Sequence, residues 1–316
     1  MPVWLFLVFF GQAQVFPGQE NRYVNEAEKL LEEFRRGAEF SGKAGQLASN
    51  GRADRRSISV LAEALRKEPA NVREQVVKVL VQLGRETDPL SQSGGQLIRD
   101  KEIVKALVSD GLAKTDAARD IALQALQWSV PGGLLEEFGG SLTESLKAAP
   151  DETLLLVIAK AKPMWARAVI ERLMQHPRWS RAEETRIAKA ALGDTALEKE
   201  FNQAFLGAEE PREKARLAQV LGFIGTRAAL STLASEMRTP LVIEMPGVYF
   251  KSVRVDIVAA LSYNYPELAF LWDNAIQDDS GYEKVERFCE ETFGTSWKRS
   301  RPPYLTIQGL PSDIPA

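Results

Sequence analysis

The chain has 316 residues, of which 45% are apolar and 26% charged, and its formal net charge is −3 at neutral pH. This composition excludes an intrinsically disordered chain, because disorder goes with few apolar residues and high net charge. The chain has no overall basic field for a phosphate backbone, so nucleic acid is not an expected partner. With one cysteine, Cys289, and one histidine, His176, a Cys/His zinc site and an intramolecular disulfide are excluded. No cofactor is expected.

The N-terminus resembles a secretory signal peptide. Residues 3–10 are all apolar, and Gly11 and Ala13 place small side chains where signal peptidase reads them. We therefore predict that residues 1–13 are removed and that the protein is periplasmic or secreted. No Lys or Arg precedes the apolar run, and a cytoplasmic protein is the alternative. The run is too short to cross a bilayer as a helix, so no membrane span is expected in the mature chain.

Residues 14–56 predict an N-terminal capping helix followed by a flexible loop. Asn25 is the candidate N-cap, and apolar residues recur at helical spacing from Ala27 to Phe34. Residues 37–44, GAEFSGKA, match a phosphate-binding loop except at Ala44, which lacks the hydroxyl that binds magnesium. Because a helix and not a strand precedes this segment, we interpret it as part of the loop.

From residue 58 onward, pairs of helix-length amphipathic segments alternate with short breaks. In the first pair, the second helix is expected to end at Gly84. Placing Arg73 on Arg119 aligns small and aliphatic positions of two successive pairs, which indicates a repeat of roughly forty-odd residues. Further on, residues 180–183 (SRAE) predict a capping box, and Asp194 predicts a helix N-cap.

The segment 211–237 predicts one helix, a tight corner and a second helix. Pro211 suits a first helical turn, Gly225 a left-handed C-terminus and Thr226 the next N-cap. Gly222 inside the first helix predicts close approach by a neighbouring helix.

A strand-like insertion then interrupts the alternation. It occupies residues 241–250 (LVIEMPGVYF), and the second helix resumes at Ser252. A final helix pair is predicted at 267–277 and 282–293. Residues 294–316 end in a proline-rich stretch and are expected to be extended.

Three second-helix segments carry a family resemblance: NVREQVVKVLVQLG (71–84), PREKARLAQVLGFIG (211–225) and SVRVDIVAALS (252–262). Two of them share an Asn or Ser followed by Val-Arg, and the segments continue with small and aliphatic residues. They resemble the second helix of HEAT repeats. The resemblance covers residues 58–293 and implies an all-α fold, a right-handed α-solenoid of HEAT-like helix pairs over residues 57–293 with an extended C-terminal tail. It also implies a structural role for Arg73 and Arg254, whose side chains would reach a neighbouring repeat.

The densest aromatic group is the candidate partner-binding surface. It consists of Tyr249, Phe250, Tyr263, Tyr265 and Trp272. Insertions and breaks of repeat proteins gather on one binding face, which favours recognition by this group. Alternatively, these aromatics close the end of the array. Other tryptophans are interpreted as core residues: Trp128, Trp165, Trp179 and Trp297.

No residue pattern predicts catalysis. His176 is interpreted as a turn residue at a helix C-terminus, and the basic residues Lys298, Arg299 and Arg301 as a solvated segment. The resulting hypothesis is a non-catalytic scaffold, in the cell envelope or secreted, that binds an unknown protein or peptide. One alternative is an enzyme or enzyme-associated factor resembling the lyase-type HEAT-repeat proteins that handle bilin chromophores. A purely structural envelope component is the third possibility.

Overall fold

The computed structural model describes residues 20–40, 55–86, 97–245, 249–268 and 279–302. Most of these residues are helical, which places the chain in the all-α class. The helices are α1 (Glu20–Arg35), α2 (Arg55–Lys67), α3 (Ala70–Glu86), α4 (Lys101–Ala106), α5 (Ala117–Trp128), α6 (Gly132–Glu136), α7 (Gly139–Ala148), α8 (Glu152–Ala161), α9 (Arg167–Leu173), α10 (Pro177–Arg181), α11 (Glu183–Ala191), α12 (Thr195–Gly207), α13 (Pro211–Ile224), α14 (Arg227–Ser235), α15 (Val253–Ser262) and α16 (Asp279–Phe293). A π-helical turn, Leu107–Gly111, continues α4, and a 3₁₀ turn, Met164–Ala166, precedes α9.

A short antiparallel hairpin lies between α14 and α15, where the sequence predicts a strand-like insertion. Strands β1 (Val242–Met245) and β2 (Tyr249–Ser252) pair from Val242 opposite Ser252 to Met245 opposite Tyr249. The Ser252 hydroxyl accepts a hydrogen bond from the Arg254 N–H, so the last residue of β2 also caps α15.

Six helices form a series in which each contacts the next: α3, α5, α8, α11, α13 and α15. Helix α8, ETLLLVIAKA, shows why such a helix lies inside, since apolar side chains cover nearly its whole circumference and are buried. Its neighbours on both sides therefore pack against apolar surface. The buried side chains of the described residues join into one hydrophobic cluster that extends from Leu30 in α1 to Cys289 in α16.

Buried cations near the start of three central helices connect them to the chain that follows. Arg73 in α3 is fully buried, and its Nε donates to Asp116 Oδ2 at 2.8 Å. Arg119 in α5 donates to the Ala149 carbonyl at 3.0 Å. Lys214 in α13 is paired with Glu236 at 2.8 Å. Each contact places a buried charge against an oxygen of a later segment, which ties separate parts of the chain together.

Arg254 in α15 is also fully buried. Its guanidinium lies 4.0 Å from the ring centroid of Tyr282 in α16, close enough for a cation–π contact. Arg73 and Arg254 therefore make structural contacts with other elements, in agreement with the role predicted for them.

Two predicted helix boundaries in the N-terminal half are wrong. Helix α1 begins at Glu20, so Asn25 lies inside it and is not its N-cap. Helix α3 continues through Gly84 to Glu86. A Cβ on Gly84 would lie 2.7 Å from Cγ2 of Ile98, so the glycine here permits close approach of Ile98 and does not end the helix.

The predicted capping box at residues 180–183 is also wrong. Ser180 belongs to the one-turn helix α10 and its hydroxyl donates to the Pro177 carbonyl, while Ala182 precedes α11 without a side-chain cap. His176 caps the N-terminus of α10, and its Nδ1 accepts from the Arg178 N–H at 3.3 Å. His176 also lies in the turn after α9, as expected, since its N–H donates to the carbonyl of Leu173, the last residue of that helix, at 2.9 Å.

Other predicted boundaries are confirmed. Pro211 begins α13, Gly225 ends it in the left-handed conformation at φ 55°, and Thr226 caps α14. Asp194 caps α12. Residues 294–302 contain no helix or strand, as expected for the tail. Outside the described residues lie the predicted signal peptide, the flexible loop at 41–54, most of the helix at 267–277 and the tail beyond residue 302. In the described ranges no helix is long and apolar enough to cross a bilayer.

Candidate functional site

The C-terminal ends of four central helices meet at one place. Helix α5 ends at Trp128, α8 at Ala161, α13 at Ile224 and α15 at Ser262. The last carbonyls of a helix lack partners within the helix and carry partial negative charge, so they need donors. We call the side chains that fill this place the lysine–aromatic rim: Trp128, Lys160, Lys162, Phe223, Tyr263 and Asn264.

Lysine and asparagine side chains supply the missing donors. Lys160 Nζ donates to the Gln127 carbonyl at 2.7 Å, and Lys162 Nζ donates to the Gly225 carbonyl at 2.8 Å. Lys162 Nζ also donates to Asn264 Oδ1 at 3.2 Å, and Asn264 Nδ2 donates to the Gly222 carbonyl at 2.8 Å. The ends of α5, α8, α13 and α15 are thus joined by hydrogen bonds from side chains.

Three aromatic rings pack beside these lysines. Trp128 makes edge contacts with Phe223 and Tyr263, at centroid distances of 5.6 and 6.0 Å, and Phe223 lies 5.1 Å from Tyr263. Lys160 Nζ is 5.4 Å from the Tyr263 ring centroid. The rings and the buried lysine fix each other's positions, so the outer ring, Trp128, is held on a rigid base.

Burial controls the ionisation of the rim. It lowers the pKa of Lys160 to about 7, and it also lowers the pKa of Lys162, which the nearby Glu136 carboxylate partly offsets. Burial raises the pKa of Tyr263 well above its ordinary value. The phenol therefore stays protonated near neutral pH, while Lys160 can lose its proton in the folded chain.

The lowered pKa of Lys160 in the folded chain predicts that the free energy of unfolding depends on pH. The Lys160→Met variant should lose this dependence. The ordinary lysine pKa of 10.5 describes the unfolded chain, which above about pH 7 therefore holds more protons than the folded chain. The free energy of unfolding of the wild type, relative to Lys160→Met, should then rise with pH between about 7 and 10, by about 1 kcal/mol per unit. Urea unfolding measured at several pH values gives this difference.

The exposed Lys147→Met variant is the control and should run parallel to the wild type. A difference between wild type and Lys160→Met that does not change with pH would show that Lys160 stays charged in the folded state.

Three large apolar side chains of the rim and of the turn after Lys162 are exposed, and we call them the exposed apolar edge: Trp128, Met164 and Trp165. Their exposed fractions are 44%, 59% and 58%. Met164 and Trp165 follow α8 directly after Lys162 and Pro163, and the inner side of Trp165 lies over Gly139, where a Cβ would be 3.1 Å from Cζ2. Large apolar side chains grouped at the end of a rigid scaffold are typical of binding surfaces.

Two of the predicted site residues, Tyr263 and Tyr265, pack against different elements. Tyr263 is part of the rim, but Tyr265, two residues on, packs against Phe288 and Phe293 at 5.0 and 5.8 Å. Phe250 is half-buried in β2. The backbone of Tyr249 pairs with Met245, while its side chain and the whole of Trp272 lie outside what the structure describes.

Several residues of the rim and of the exposed apolar edge were not predicted from the sequence. Trp128 and Trp165 were interpreted as core residues, but both are exposed, whereas Trp179 is buried. Trp128 lies just before a break between helices and Trp165 lies inside one, and these positions were the sequence signal for their exposure. Lys160 also stood out as the one charged residue among the apolar positions of α8 after its first residue.

Neither the thiol of Cys289 nor the possible metal ligands among the described residues indicate a second functional site. Burial raises the pKa of Cys289 to about 12, so its thiol stays protonated near neutral pH. Within the described ranges, no three His, Cys, Asp or Glu side chains lie together in a way that could hold a metal ion.

Comparisons with known proteins give no family assignment. No family model matches the chain, and no curated protein or solved structure matches it either. The HEAT-like resemblance therefore remains a prediction that depends on the three second-helix segments and on the way the helices pack.

Proposed function

We propose that the protein is a non-catalytic scaffold that binds a partner protein or peptide through the exposed apolar edge. The observation that carries the proposal is the exposure of Trp128, which stands on a base of packed rings and hydrogen-bonded lysines, together with the exposure of Met164 and Trp165 just after Lys162. Tryptophan contributes strongly to protein interfaces when its position is fixed before binding, since little conformational entropy is then lost.

The proposed architecture is a right-handed α-solenoid of HEAT-like helix pairs. Support comes from the unbroken series of contacts from α3 to α15 and from the buried Arg73, which joins one helix pair to the next. In such an array, each pair is too small to bury its own apolar face and needs its neighbours. The aligned ends of the central helices would then form one edge of the array, where the rim lies.

The hydrogen bonds that the rim's polar groups make within the protein support a binding role over catalysis. Lys160, Lys162 and Asn264 already donate to backbone carbonyls or to each other. A lyase-type activity would instead need polar groups free to converge on a ligand. The proposal keeps the secreted or periplasmic location, which depends on the sequence of residues 1–13.

Changing both exposed tryptophans tests the proposal. The wild type and a Trp128→Ala/Trp165→Ala variant would be immobilised at equal density and exposed to an extract of the native cell. Quantitative mass spectrometry of the retained proteins then compares the two. We expect at least one specifically retained protein to be lost about tenfold or more from the double variant, as for anchor residues worth more than 1.4 kcal/mol.

Lys199→Ala is the control, because it truncates a long, exposed side chain on α12 that belongs to neither the rim nor the exposed apolar edge. It should retain the same protein as the wild type. Circular dichroism must show equal helicity for all three proteins. Equal recovery of every retained protein by the double variant and the wild type would contradict the proposal.

A further inference from the structure

A second surface lies at the end of the described chain, away from the four helix ends of the rim. It is a groove of about 290 Å³ lined by Leu206 at the end of α12, Arg238 and its neighbours after α14, and residues 296–299 after α16. We call it the Trp297 groove. Its volume is at the lower limit of small-molecule sites, so it suits one or two side chains of a peptide better than a cofactor.

The floor of the Trp297 groove is held rigidly. Trp297 Nε1 donates to the Ala234 carbonyl at 3.0 Å, and the Arg238 guanidinium lies 4.6 Å from the indole centroid. Arg238 is in turn held by Glu286, at 3.2 and 3.1 Å, and by the Arg299 carbonyl at 3.3 Å. A ligand would therefore meet a preorganised surface, which lowers the entropy cost of binding.

Basic side chains surround this floor. Lys298 and Arg299 are exposed and form no ion pair with any described residue. The nearest carboxylates are already neutralised, since Glu236 is paired with Lys214 and Glu286 with Arg238 and Arg301. The groove is thus locally positive on a chain whose net charge is −3.

The interpretation of Arg301 as a solvated residue is wrong, because its guanidinium is bound to Glu283 and Glu286.

An apolar wall completes the surface. Leu206 is 51% exposed. This residue lines the groove from α12, whereas Lys298 lines it from the segment after α16. The groove therefore offers an apolar contact beside two cations that no carboxylate of the described residues neutralises. A ligand that satisfies both must carry an apolar side chain next to negative charge.

We propose that the Trp297 groove binds a short acidic peptide segment of a partner protein, one in which a leucine-like side chain lies beside one or more carboxylates. The apolar side chain packs between Leu206 and Trp297, and the carboxylates pair with Lys298 and Arg299. This site is independent of the rim, so it stands or falls separately from the proposed function.

Single-stranded nucleic acid is the other polyanion that combines charge with a stacking group. It is disfavoured because the Arg238 guanidinium already stacks on the Trp297 ring, which leaves that face closed to a base. Among the described residues that line the groove, Lys298 and Arg299 are the only cations without a carboxylate partner, which is less than the basic track that follows a phosphate backbone. Nucleic acid therefore enters the test as a competing result.

Peptide selection on the full chain tests the proposal. A random dodecapeptide display library is selected on the wild type and counter-selected on a Lys298→Glu/Arg299→Glu variant. We expect the enriched peptides to combine Asp or Glu with Leu, Ile or Phe. Synthetic copies should bind the wild type and lose affinity by about tenfold or more on the variant, as measured by fluorescence anisotropy.

Two further variants sharpen the result. Lys284→Glu/Arg287→Glu makes the same charge change on exposed residues of α16 outside the groove and should keep wild-type affinity. Leu206→Ser should weaken binding without changing charge. Enrichment of neutral or basic peptides, no enrichment, equal affinity for the groove variant, or preferential binding of a labelled single-stranded oligonucleotide would each overturn the proposal.

Discussion

Replacing Arg73 by methionine is expected to lower the free energy of unfolding by about 3–5 kcal/mol, the usual cost of removing one partner of a buried ion pair. Arg73 is fully buried, and its guanidinium contacts both the Asp116 carboxylate and the Asp110 carbonyl, at 2.8 and 3.2 Å. Methionine fills similar volume but leaves both oxygens without this donor. The midpoint and slope of urea unfolding, followed by circular dichroism, measure the loss.

Asp116→Asn separates the ion pair from the other role of Asp116. This residue also caps α5 by accepting from the Arg119 N–H, which asparagine can still do. In the Arg73→Met/Asp116→Asn double variant, no carboxylate is left without its counter-ion, so the loss should be smaller than the sum of the single losses. Additive losses would show that the pair contributes no coupling energy.

Arg66→Met provides the comparison with an exposed pair. Arg66 lies 3.4 Å from Asp110 with 61% of its side chain exposed. Its removal should cost less than about 1 kcal/mol, because solvent already screens the interaction.

Gly222→Ala should destabilise the protein by about 2 kcal/mol, although alanine is intrinsically the better helix former by about 1 kcal/mol. A Cβ on Gly222 would lie 2.8 Å from the Ala260 carbonyl oxygen and 2.9 Å from Cδ2 of Tyr263. Helices α13 and α15 would have to move apart, since the first of these atoms is backbone. The unfolding midpoint of the variant should therefore fall.

Gly140→Ala is the matched control. Gly140 is exposed in α7, and nothing lies within 4 Å of the position that its Cβ would occupy. This change should be neutral or slightly stabilising. If Gly222→Ala behaved in the same way, the close approach of α13 and α15 would not be a constraint on the fold.

The Gly222→Ala change should also affect partner binding. A Cβ at this position would displace Tyr263, so the variant should lose the protein retained by the rim.

Much of the helical framework could be predicted from local signals. Pro211, Gly225 and Thr226 act through their own backbone preferences and hydrogen bonds, so their positions in the sequence determine where α13 begins and ends and where α14 begins. Gly84 carried the same terminating signal but has another role, because Ile98, which lies in a later segment, packs against it. A glycine in sequence does not distinguish a helix end from a contact between segments.

The site was less predictable for a related reason. Tryptophan is usually buried, and whether Trp128 and Trp165 are covered depends on where other helices end, which no local pattern records. Tyr263 and Tyr265 are close in sequence yet contact different elements, since the chain turns between them. Lys160 was detectable as a charge within an apolar helix, but its carbonyl partner on α5 was not.

The side-chain bonds of Lys162 have a consequence for biosynthesis. This lysine contacts Gly225 and Asn264, and Asn264 lies 102 residues later in the chain. A growing polypeptide can form its early helix pairs from local contacts, but it cannot join these helix ends before α15 has been synthesised. The surface that we propose for partner binding therefore matures late, and a nascent chain could not engage a partner there before residue 264 has been synthesised.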